Sequence, residues 1–258
     1  MPTIQESIAA WRDKKITGTA LMRILVSHPA WMLPMSESAV AETLQTGAAS
    51  RFQYNRDDLG LNRLLIFSDP DTFAAYRKRG GQDIEQHFLT TNGSWLFSLP
   101  LEGIDRIWID PLNEGDIFYT KEQFEQLRGM AASLDVEAAL AGLRHGTAPD
   151  DALGKVKNFP SYWVPVGIRD DTMRLMLAPD GEGRKLAAVF TSEDTLAALL
   201  PELRQAAAPE QVVERIFAGA ALFQILQSMP IDGIVFNCKG PVEPIAFAKA
   251  FADVVCET

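Results

Sequence analysis

The sequence predicts an α/β protein of the α+β class, built as two duplicated mixed-sheet units packed with helices and related by a pseudo-twofold. Two observations lead to this prediction. Short apolar runs typical of strands alternate with segments of helical periodicity, which favours sheets covered by helices. Three sequence blocks also recur in the same order at nearly constant spacing. They are HPAWMLPM (28–35) with FPSYWVPV (159–166), LLIFSDPDTFAA (64–75) with AAVFTSEDTLAA (187–198), and IDRIWID (104–110) with IDGIVFN (231–237).

The repeated blocks divide the chain into two units of similar length. We predict a first α/β unit over residues 1–131, which includes an N-terminal helix, and a second α/β unit over 152–258. The stretch 132–151 carries Ala and Leu at helical spacing and then the breakers HGTAPDD. We therefore expect it to be a helical linker.

Within each unit the residues predict the same elements in the same order. A helix ends before a proline, because proline has no N–H to continue the ladder, and a short strand follows. Trp31 and Tyr162 coincide in these two strands, so we expect both in the core. A buried strand, a helix, another strand, a short apolar helix, a buried strand and a final helix complete the order. A hairpin with a glycine-rich loop is expected over 172–190, and the final helices over 120–131 and 243–255.

An acidic block follows the same strand in both copies. Ser68 and Asp71 stand three residues apart, as do Thr191 and Asp194. A Ser or Thr at the N-cap accepts a backbone N–H, and an acidic residue at the third helical position can reach back. We therefore predict that each block is a capped helix start. The alternative is a carboxylate cluster that holds Mg²⁺ or acts as acid and base, which needs ligands from several elements.

Charge and cysteine content restrict the class of partner and the compartment. The net charge of −10 argues against a nucleic-acid partner, which selects a concentrated basic surface, and against an anionic membrane surface. Cys238 and Cys256 form no CxxC pair, and free thiols are typical of a reducing compartment. The N-terminus lacks the apolar core of a signal peptide, and no apolar run approaches the length of a membrane span. We expect a cytoplasmic protein.

Residue types that carry common chemistry are sparse and dispersed. The histidines lack ligand spacing, and two of them fall at predicted helix ends, where a positive charge is favoured: His28, His87 and His145. Cys238 has no nearby base to activate it as a nucleophile. The DGEG turn lacks the lysine and the helix of a phosphate loop. We assign no catalytic, cofactor-binding or metal-binding residue.

One stretch between predicted elements is long enough to suggest binding. Residues 36–62 are predicted to form a loop, and long loops in compact domains are often functional. Within it, Arg51, Tyr54 and Arg56 are candidate partner-binding residues. Asp110 is a fourth candidate, since Asn replaces it in the second copy and the fold therefore does not require its charge.

Four motifs in the second copy carry a resemblance to a known family. They are YWVPV (162–166), VFTSEDTLAAL (189–199), ALFQIL (221–226) and IDGIVFNCKGP (231–241). In this order they resemble the SseB-like family, the enhanced-serine-sensitivity proteins. The first copy is a degenerate version, because IDRIWIDP lacks the Gly and Asn of its counterpart. The resemblance implies an α/β domain in a bacterial cytoplasmic protein and transfers no catalytic residue.

Three functions are compatible with these observations. The preferred one is a non-enzymatic protein that binds an unidentified protein partner, since duplication offers two related surfaces. The second is a sensor that holds an amino-acid-sized ligand between the copies. The third is a hydrolase that uses acidic residues at strand ends, such as Asp110 with Asp116, or Asp232. The residues favour the first and leave the other two open.

Overall fold

The computed structural model describes residues 2–46, 54–79, 87–170, 172–178, 182–207 and 211–258. The chain separates into two compact units, unit 1 (Met1–Ala132) and unit 2 (Ser133–Thr258). Helices combine with antiparallel and mixed sheets, so the predicted α+β class is confirmed.

The described residues of unit 1 form two sheets. Strands β1 and β4 form an antiparallel pair, and the second sheet has the order β2-β3-β5-β6, in which only β3 and β5 are parallel. The elements are α1 (Ile4–Arg12), α2 (Gly18–Ser27), β1 (Trp31–Met35), α3 (Glu37–Thr46), β2 (Tyr54–Arg56), β3 (Asn62–Ile66), α4 (Pro70–Lys78), β4 (His87–Thr91), α5 (Gly93–Ser98), β5 (Arg106–Ile109), β6 (Ile117–Thr120) and α6 (Lys121–His145). The boundary between the units falls within α6.

Unit 2 pairs its strands in a similar way. Strand β7 pairs with β11 and β8, while a second sheet has the order β13-β12-β10-β9, in which only β10 and β12 are parallel. The elements are α7 (Ala152–Asn158), β7 (Tyr162–Arg169), β8 (Thr172–Leu175), β9 (Leu177–Ala178), β10 (Leu186–Val189), α8 (Glu193–Ala197), α9 (Leu200–Ala206), β11 (Gln211–Phe217), α10 (Gly219–Ser228), β12 (Gly233–Phe236), β13 (Ile245–Ala248) and α11 (Ala250–Glu257).

The aromatic residue that opens the first strand of each unit lies in the core. Trp31 and Tyr162 are fully buried, which confirms the expectation from the aligned blocks. A buried polar atom needs a partner, and both have one. Trp31 Nε1 donates to the carbonyl of Leu25 at 3.0 Å, and the Tyr162 hydroxyl donates to the carbonyl of Val156 at 3.0 Å. Each aromatic residue thereby fixes the end of the preceding helix to its strand.

Several predicted boundaries are wrong. Residues 36–62 are not one loop, because they contain α3 and β2. The helix expected over 243–255 begins at Ala250, since residues 245–248 pair with β12 as a strand. The hairpin over 172–190 is confirmed only for β9 and β10, because β8 pairs with β7 instead. Residues 133–145, expected in the linker, continue helix α6 and belong to unit 2.

Candidate functional site

A buried hydrogen-bond network joins two strand ends in unit 1. Asp110 follows β5, Ser68 lies two residues beyond β3, and these parallel neighbours bring the two residues together. Asp110 Oδ1 accepts the backbone N–H of Ser68 at 2.7 Å, and Oδ2 accepts the Ser68 hydroxyl at 2.7 Å. Gln5 of α1 donates from Nε2 to Asp110 Oδ2 and to Ser68 Oγ, both at 2.8 Å. The network therefore connects two strands and a helix.

Asp110 is the buried ionisable group of this network. Its relative exposure is 0%, and burial raises the pKa of its carboxyl above the ordinary value, although hydrogen bonds from Ser68 lower it. Its backbone has φ of 47°, a left-handed conformation that Asp and Asn adopt more readily than most residues. The sequence made Asp110 a candidate for partner binding, whereas the structure places it below the surface.

A similar network in unit 2 joins the ends of β10 and β12 to helix α6, but its carboxylate and its amide have exchanged places. Asn237 follows β12 with φ of 50°, and its Oδ1 accepts the backbone N–H of Thr191 at 3.0 Å. The Thr191 hydroxyl donates to Glu137 Oε1 of α6 at 2.5 Å and lies 3.0 Å from Asn237 Nδ2. In unit 1 the strand end supplies the carboxylate and the helix the amide. In unit 2 the strand end supplies the amide and the helix the carboxylate.

The exchange identifies the role of both networks. Each pairs a carboxylate and an amide around one hydroxyl, and the two groups exchange places between the strand end and the helix. In unit 1 the Ser68 hydroxyl also lies 3.2 Å from Oδ2 of Asp69. The three hydrogen bonds that Asp110 accepts come from Ser68 and Gln5, which satisfies its oxygens within the protein. The arrangement connects the two strand ends to a helix.

The predicted capping boxes are wrong in both units. Asp69 is the N-cap of α4, and its Oδ1 accepts the N–H of Thr72 at 2.8 Å. Pro70 occupies the first helical position, where a backbone N–H has no partner within the helix, so the missing N–H of proline costs nothing. The helix therefore starts one residue later than predicted. In unit 2 the N-cap of α8 is Ser192, whose hydroxyl lies 3.2 Å from that of Thr195. The helix start predicted for each block is confirmed, but the N-cap residue is a different one in each, and Ser192 makes no side-chain bond to the helix backbone.

The other acidic candidates, Asp116 and Asp232, also accept hydrogen bonds from backbone or side-chain donors. Asp116 Oδ2 accepts the indole N–H of Trp108 at 3.1 Å. Asp232 Oδ2 accepts the N–H of Lys185 at 2.7 Å and so joins the starts of β12 and β10. Asp105 does the same in unit 1, where its Oδ2 accepts the N–H of Asn62 at 2.8 Å. The bonds of Asp105 and Asp232 thus each connect the starts of two parallel strands.

Two of the histidines lie at helix ends, and one cysteine has a perturbed pKa: His28, His145 and Cys238. His28 caps the end of α2, and its Nε2 lies 3.0 Å from the carbonyl oxygen of Ser68. His145 is the last residue of α6, as expected from the preference of helix ends for positive charge. Burial raises the pKa of Cys238 to about 11, which disfavours the thiolate that a nucleophile needs. Among the described residues, no three His, Cys, Asp or Glu side chains cluster as metal ligands would.

The outer side of the four-stranded sheet of unit 1 carries cations and aromatic rings. The strand register aligns Asn55, Arg63, Arg106 and Thr120 in one row, and Leu65, Trp108 and Phe118 in the next. We call the part formed by Arg63, Arg106, Trp108 and Phe118 the cation–aromatic face. Phe118 is 43% exposed although it is a large apolar residue. The opposite side carries buried aliphatic residues and belongs to the core.

The groups of the cation–aromatic face are stacked on one another. The Arg63 guanidinium carbon lies 5.1 Å from the centre of the Trp108 ring, within the range of a cation–π contact. The Trp108 and Phe118 rings are stacked with centroids 4.6 Å apart and planes at 21°. Arg106 is engaged elsewhere, with Nη1 3.5 Å from Asp57 Oδ2. The result is a layered surface with a cation at one end and an exposed ring at the other.

The same side of the sheet in unit 2 is closed. Leu186, Ala188 and Val235 stand at the positions of Arg63, Leu65 and Trp108, and all three are buried. They belong to one apolar cluster with residues of α8, α9 and neighbouring strands: Leu196, Leu199, Leu200, Leu203 and Val212. In unit 1 a smaller cluster, formed by Leu65, Phe67 and Tyr76, covers part of this side. The two sheets therefore share their pairing and differ in how much of this side is covered.

The candidates in the 36–62 segment take different places. Tyr54 and Arg56 lie on β2, which is an edge strand, and Tyr54 is 47% exposed. Strand alternation assigns both to the side of Leu64, opposite the cation–aromatic face, while Asn55 belongs to the side of Arg63. Arg51 lies outside the described residues. The structure does not bring Tyr54, Arg56 and Asp110 together as one site.

Sequence reasoning missed the cation–aromatic face, although a signal was present. The aligned strands read NRLLI against KLAAV and RIWI against GIVF. Arg63 stands where unit 2 has Leu186, and Trp108 stands where it has Val235. These two differences indicate that the side of the sheet is covered differently in the two units. Using the repeat to compare positions, as well as to count elements, would have identified these residues.

Comparisons with known proteins give one family match and one distant structure. A model of the SseB protein N-terminal domain matches residues 136–248, which lie in unit 2, and supports the resemblance to SseB-like proteins there. No curated protein matches the chain. A solved structure described as Anabaena Tic22 (protein transport) is 9% identical, with 83% of this chain and 88% of that chain covered and a TM-score of 0.22. None of the helices formed by described residues has the length and apolarity of a membrane span.

Proposed function

We propose that the chain is a non-enzymatic bacterial protein that binds a protein partner through the cation–aromatic face of unit 1. We further propose that it is a tandem of two SseB-like units, of which the first has diverged. The family match to residues 136–248 supports this origin for unit 2. The parallel pair β3–β5, matched by β10–β12, and the exchanged buried networks support a common origin for unit 1.

The difference between the two sheets carries the proposal. In unit 2, α8 and α9 pack apolar side chains on the outer side of the sheet. In unit 1 the same side presents Arg63, Trp108 and the exposed ring of Phe118. Trp and Arg are enriched among the residues that dominate binding energy at protein interfaces. A smaller apolar cluster of Leu65, Phe67 and Tyr76 covers only part of this side and packs against Trp108. The remaining part, which carries Arg63 and Phe118, fits a docking surface.

The edge strand β2 carries the two other candidates. Tyr54 and Arg56, which the sequence singled out, lie on this strand beside β3. Their side chains belong to the opposite side of the sheet, so we propose them as partner-binding residues apart from the cation–aromatic face. Asp110 has no place in this surface, because it is buried.

We also propose a cytoplasmic location. Cys238 and Cys256 are both free thiols. Unpaired cysteines are typical of proteins kept in a reducing compartment. Localisation of a C-terminal fluorescent fusion checks this proposal, since export to an oxidising compartment would contradict it.

Capture from lysate with matched variants tests the docking surface. Tagged full-length protein is compared with Phe118→Ser and with Ile216→Ser, a similar change at an exposed apolar residue of β11. We expect Phe118→Ser to lose a captured protein that Ile216→Ser retains. Binding of that protein, once purified, to wild type and both variants must reproduce the pattern. Capture that is the same for both variants would refute the proposed surface.

A further inference from the structure

We infer that one side of the three-stranded sheet of unit 2 docks an amphipathic helix of a partner protein, as unit 1 covers the matching side with its own helix α3. We call this surface the β7–β8 face, and its apolar residues are Ile168, Met173, Leu175 and Val213. The inference goes beyond the proposed function, because the β7–β8 face lies in unit 2 and the cation–aromatic face lies in unit 1.

The same strand pair occurs in both units with the same register. Strand β1 pairs with β4 as β7 pairs with β11, and both pairs are antiparallel. Leu33 lies opposite Leu89, and its counterpart Val164 lies opposite Arg215. Leu89 is buried, whereas Arg215 is exposed. A buried leucine matched by an exposed arginine indicates that this side is covered in unit 1 and open in unit 2.

Helix α3 supplies the cover in unit 1. It begins one residue after β1 ends and packs against β4. Its buried residues Ala39 and Thr43 stand four positions apart and therefore lie on one face of the helix. The other side of β4 is taken by α4, because Phe88 packs on Phe73 of that helix with ring centroids 4.6 Å apart. The side of Leu89 is thus left for α3.

Unit 2 has a strand where unit 1 has this helix. Strand β7 continues beyond the length of β1 and pairs with β8, which follows it in the chain. The register places Ile168 opposite Met173 and sets Leu175 opposite Val166. Strand alternation assigns all four to the side of Val164. Met173 is 62% exposed, so an apolar side chain on this side faces water.

Helices α8 and α9 lie on the opposite side of this sheet. Helix α8 packs against β7 and α9 against β11. Their leucines form an apolar cluster with Val212, against which Trp163 packs, and alternation puts both residues on the side away from Val164. Val213, the neighbour of Val212, lies on the β7–β8 face and is partly exposed. The cover that α8 and α9 give to one side therefore does not extend to the other.

The dimensions and chemistry of the β7–β8 face favour a helix as its occupant. Three neighbouring strands span about 10 Å, which matches the width of one helix. An amphipathic helix binds such a surface through apolar residues at steps of three and four. Helix α3 does so in unit 1 with small residues. The exposed Arg215 borders the apolar residues along β11 and provides a polar rim.

A helical peptide with the sequence of α3 tests the inference on the full-length protein. The probe is residues 36–46, SESAVAETLQT, carrying a fluorescent label and a hydrocarbon bridge in place of the exposed Ser38 and Glu42 side chains. We expect saturable binding in an anisotropy titration. Met173→Ser removes apolar area from the β7–β8 face and should weaken binding about tenfold. Ile216→Ser, at a residue that is 54% exposed on the other side of β11, should leave the affinity unchanged.

A second peptide shows whether the buried stripe of α3 makes the contact. It carries Ala39→Gln and Thr43→Gln, and we expect it to bind about tenfold more weakly. The inference is overturned if the α3 peptide does not bind saturably, if both peptides bind equally, or if Met173→Ser, with an unchanged thermal transition, binds the α3 peptide like wild type.

Sedimentation velocity distinguishes a helix of a partner from a second copy of the chain. We expect wild type and Met173→Ser to sediment alike as monomers. A wild-type dimer that Met173→Ser dissociates would show that a second copy fills the β7–β8 face, and it would overturn the inference. Neither result bears on the docking surface of unit 1, which capture with Phe118→Ser tests separately.

Discussion

Asp110 and Ser68 are joined twice, because one carboxylate oxygen accepts the backbone N–H of Ser68 and the other accepts its hydroxyl, both at 2.7 Å. The carboxylate that makes these bonds is fully buried, and burial raises its pKa. The folded protein therefore holds a proton at Asp110 more tightly than the unfolded chain. It follows that the contribution of this group to stability increases as the pH falls through its folded-state pKa and is lost as the pH rises again.

Replacement of Asp110 by Asn tests this linkage. We expect Asp110→Asn to fold, because Asn237 occupies the same backbone conformation in unit 2. The variant should have a higher denaturation midpoint than wild type at pH 7.5, and the difference should shrink as the pH falls through the raised pKa of Asp110, where wild type is relieved of its buried charge. Tryptophan fluorescence in urea measures the midpoint, since four of the five tryptophans lie in unit 1. A difference that stays equal over the whole acid range in which the protein is folded would contradict the linkage.

A double-mutant cycle tests the exchange between the two networks. Gln5→Glu alone places a second carboxylate beside Asp110, and we expect a loss of about 1–3 kcal/mol in the free energy of unfolding. Gln5→Glu combined with Asp110→Asn recreates the arrangement of Glu137 and Asn237. The pair should therefore recover most of that loss. Additive effects in urea unfolding would show that the two positions are not coupled.

Substitutions of Asp69 and Asp71 test which carboxylate caps α4. Asp69→Ala removes the acceptor of the Thr72 N–H and should cost about 0.5–2 kcal/mol of stability. Asp69→Asn keeps an acceptor oxygen and should cost less. Asp71→Ala serves as the control, because Asp71 lies inside the helix and does not make the cap bond. Thermal unfolding ranks the variants, and an equal effect of Asp69→Ala and Asp71→Ala would argue against Asp69 as the cap.

Two glycines in helices should respond oppositely to alanine. A Cβ at Gly93 would lie 2.5 Å from the carbonyl oxygen of Leu25 and 2.6 Å from that of Val26, so Gly93→Ala forces α5 away from α2. We expect a loss of about 1–3 kcal/mol. A Cβ at Gly129 of α6 meets nothing within 4 Å, and Gly129→Ala should stabilise by about 1 kcal/mol through helix propensity. Denaturation midpoints that move in the same direction would contradict the packing argument.

The repeated blocks predicted the buried strands well, and for a physical reason. A strand covered on both sides is apolar along its length, so β10 and β12 are visible in the residues alone. Edge strands carry a weaker signal. Phe247 and Phe251 stand four residues apart and suggest one helix, but pairing with β12 takes the first of them into β13. Hydrogen bonding to the free edge of β12 stabilised residues 245–248 as a strand, although their local spacing favoured a helix.

The buried hydrogen-bond networks could not be predicted from the sequence, and the reason is different. Ser68 precedes a helix and has an acidic residue three positions later, which is the pattern of a cap. Its hydroxyl instead meets Asp110, 42 residues away, because parallel pairing brings two strand ends together. A local pattern and a long-range contact competed for one side chain. Only the tertiary structure decides between them.

The exchange of carboxylate and amide also bears on how a chain with two similar halves folds correctly. Repeats within one chain can misassemble by packing an element of one half on the sheet of the other. If α6 packed on the sheet of unit 1, Glu137 would meet Asp110, and two buried carboxylates would repel each other. If α1 packed on the sheet of unit 2, Gln5 would meet Asn237 and leave the Thr191 hydroxyl without a carboxylate. The pairing of unlike groups thus favours assembly of each half from its own helix and strands.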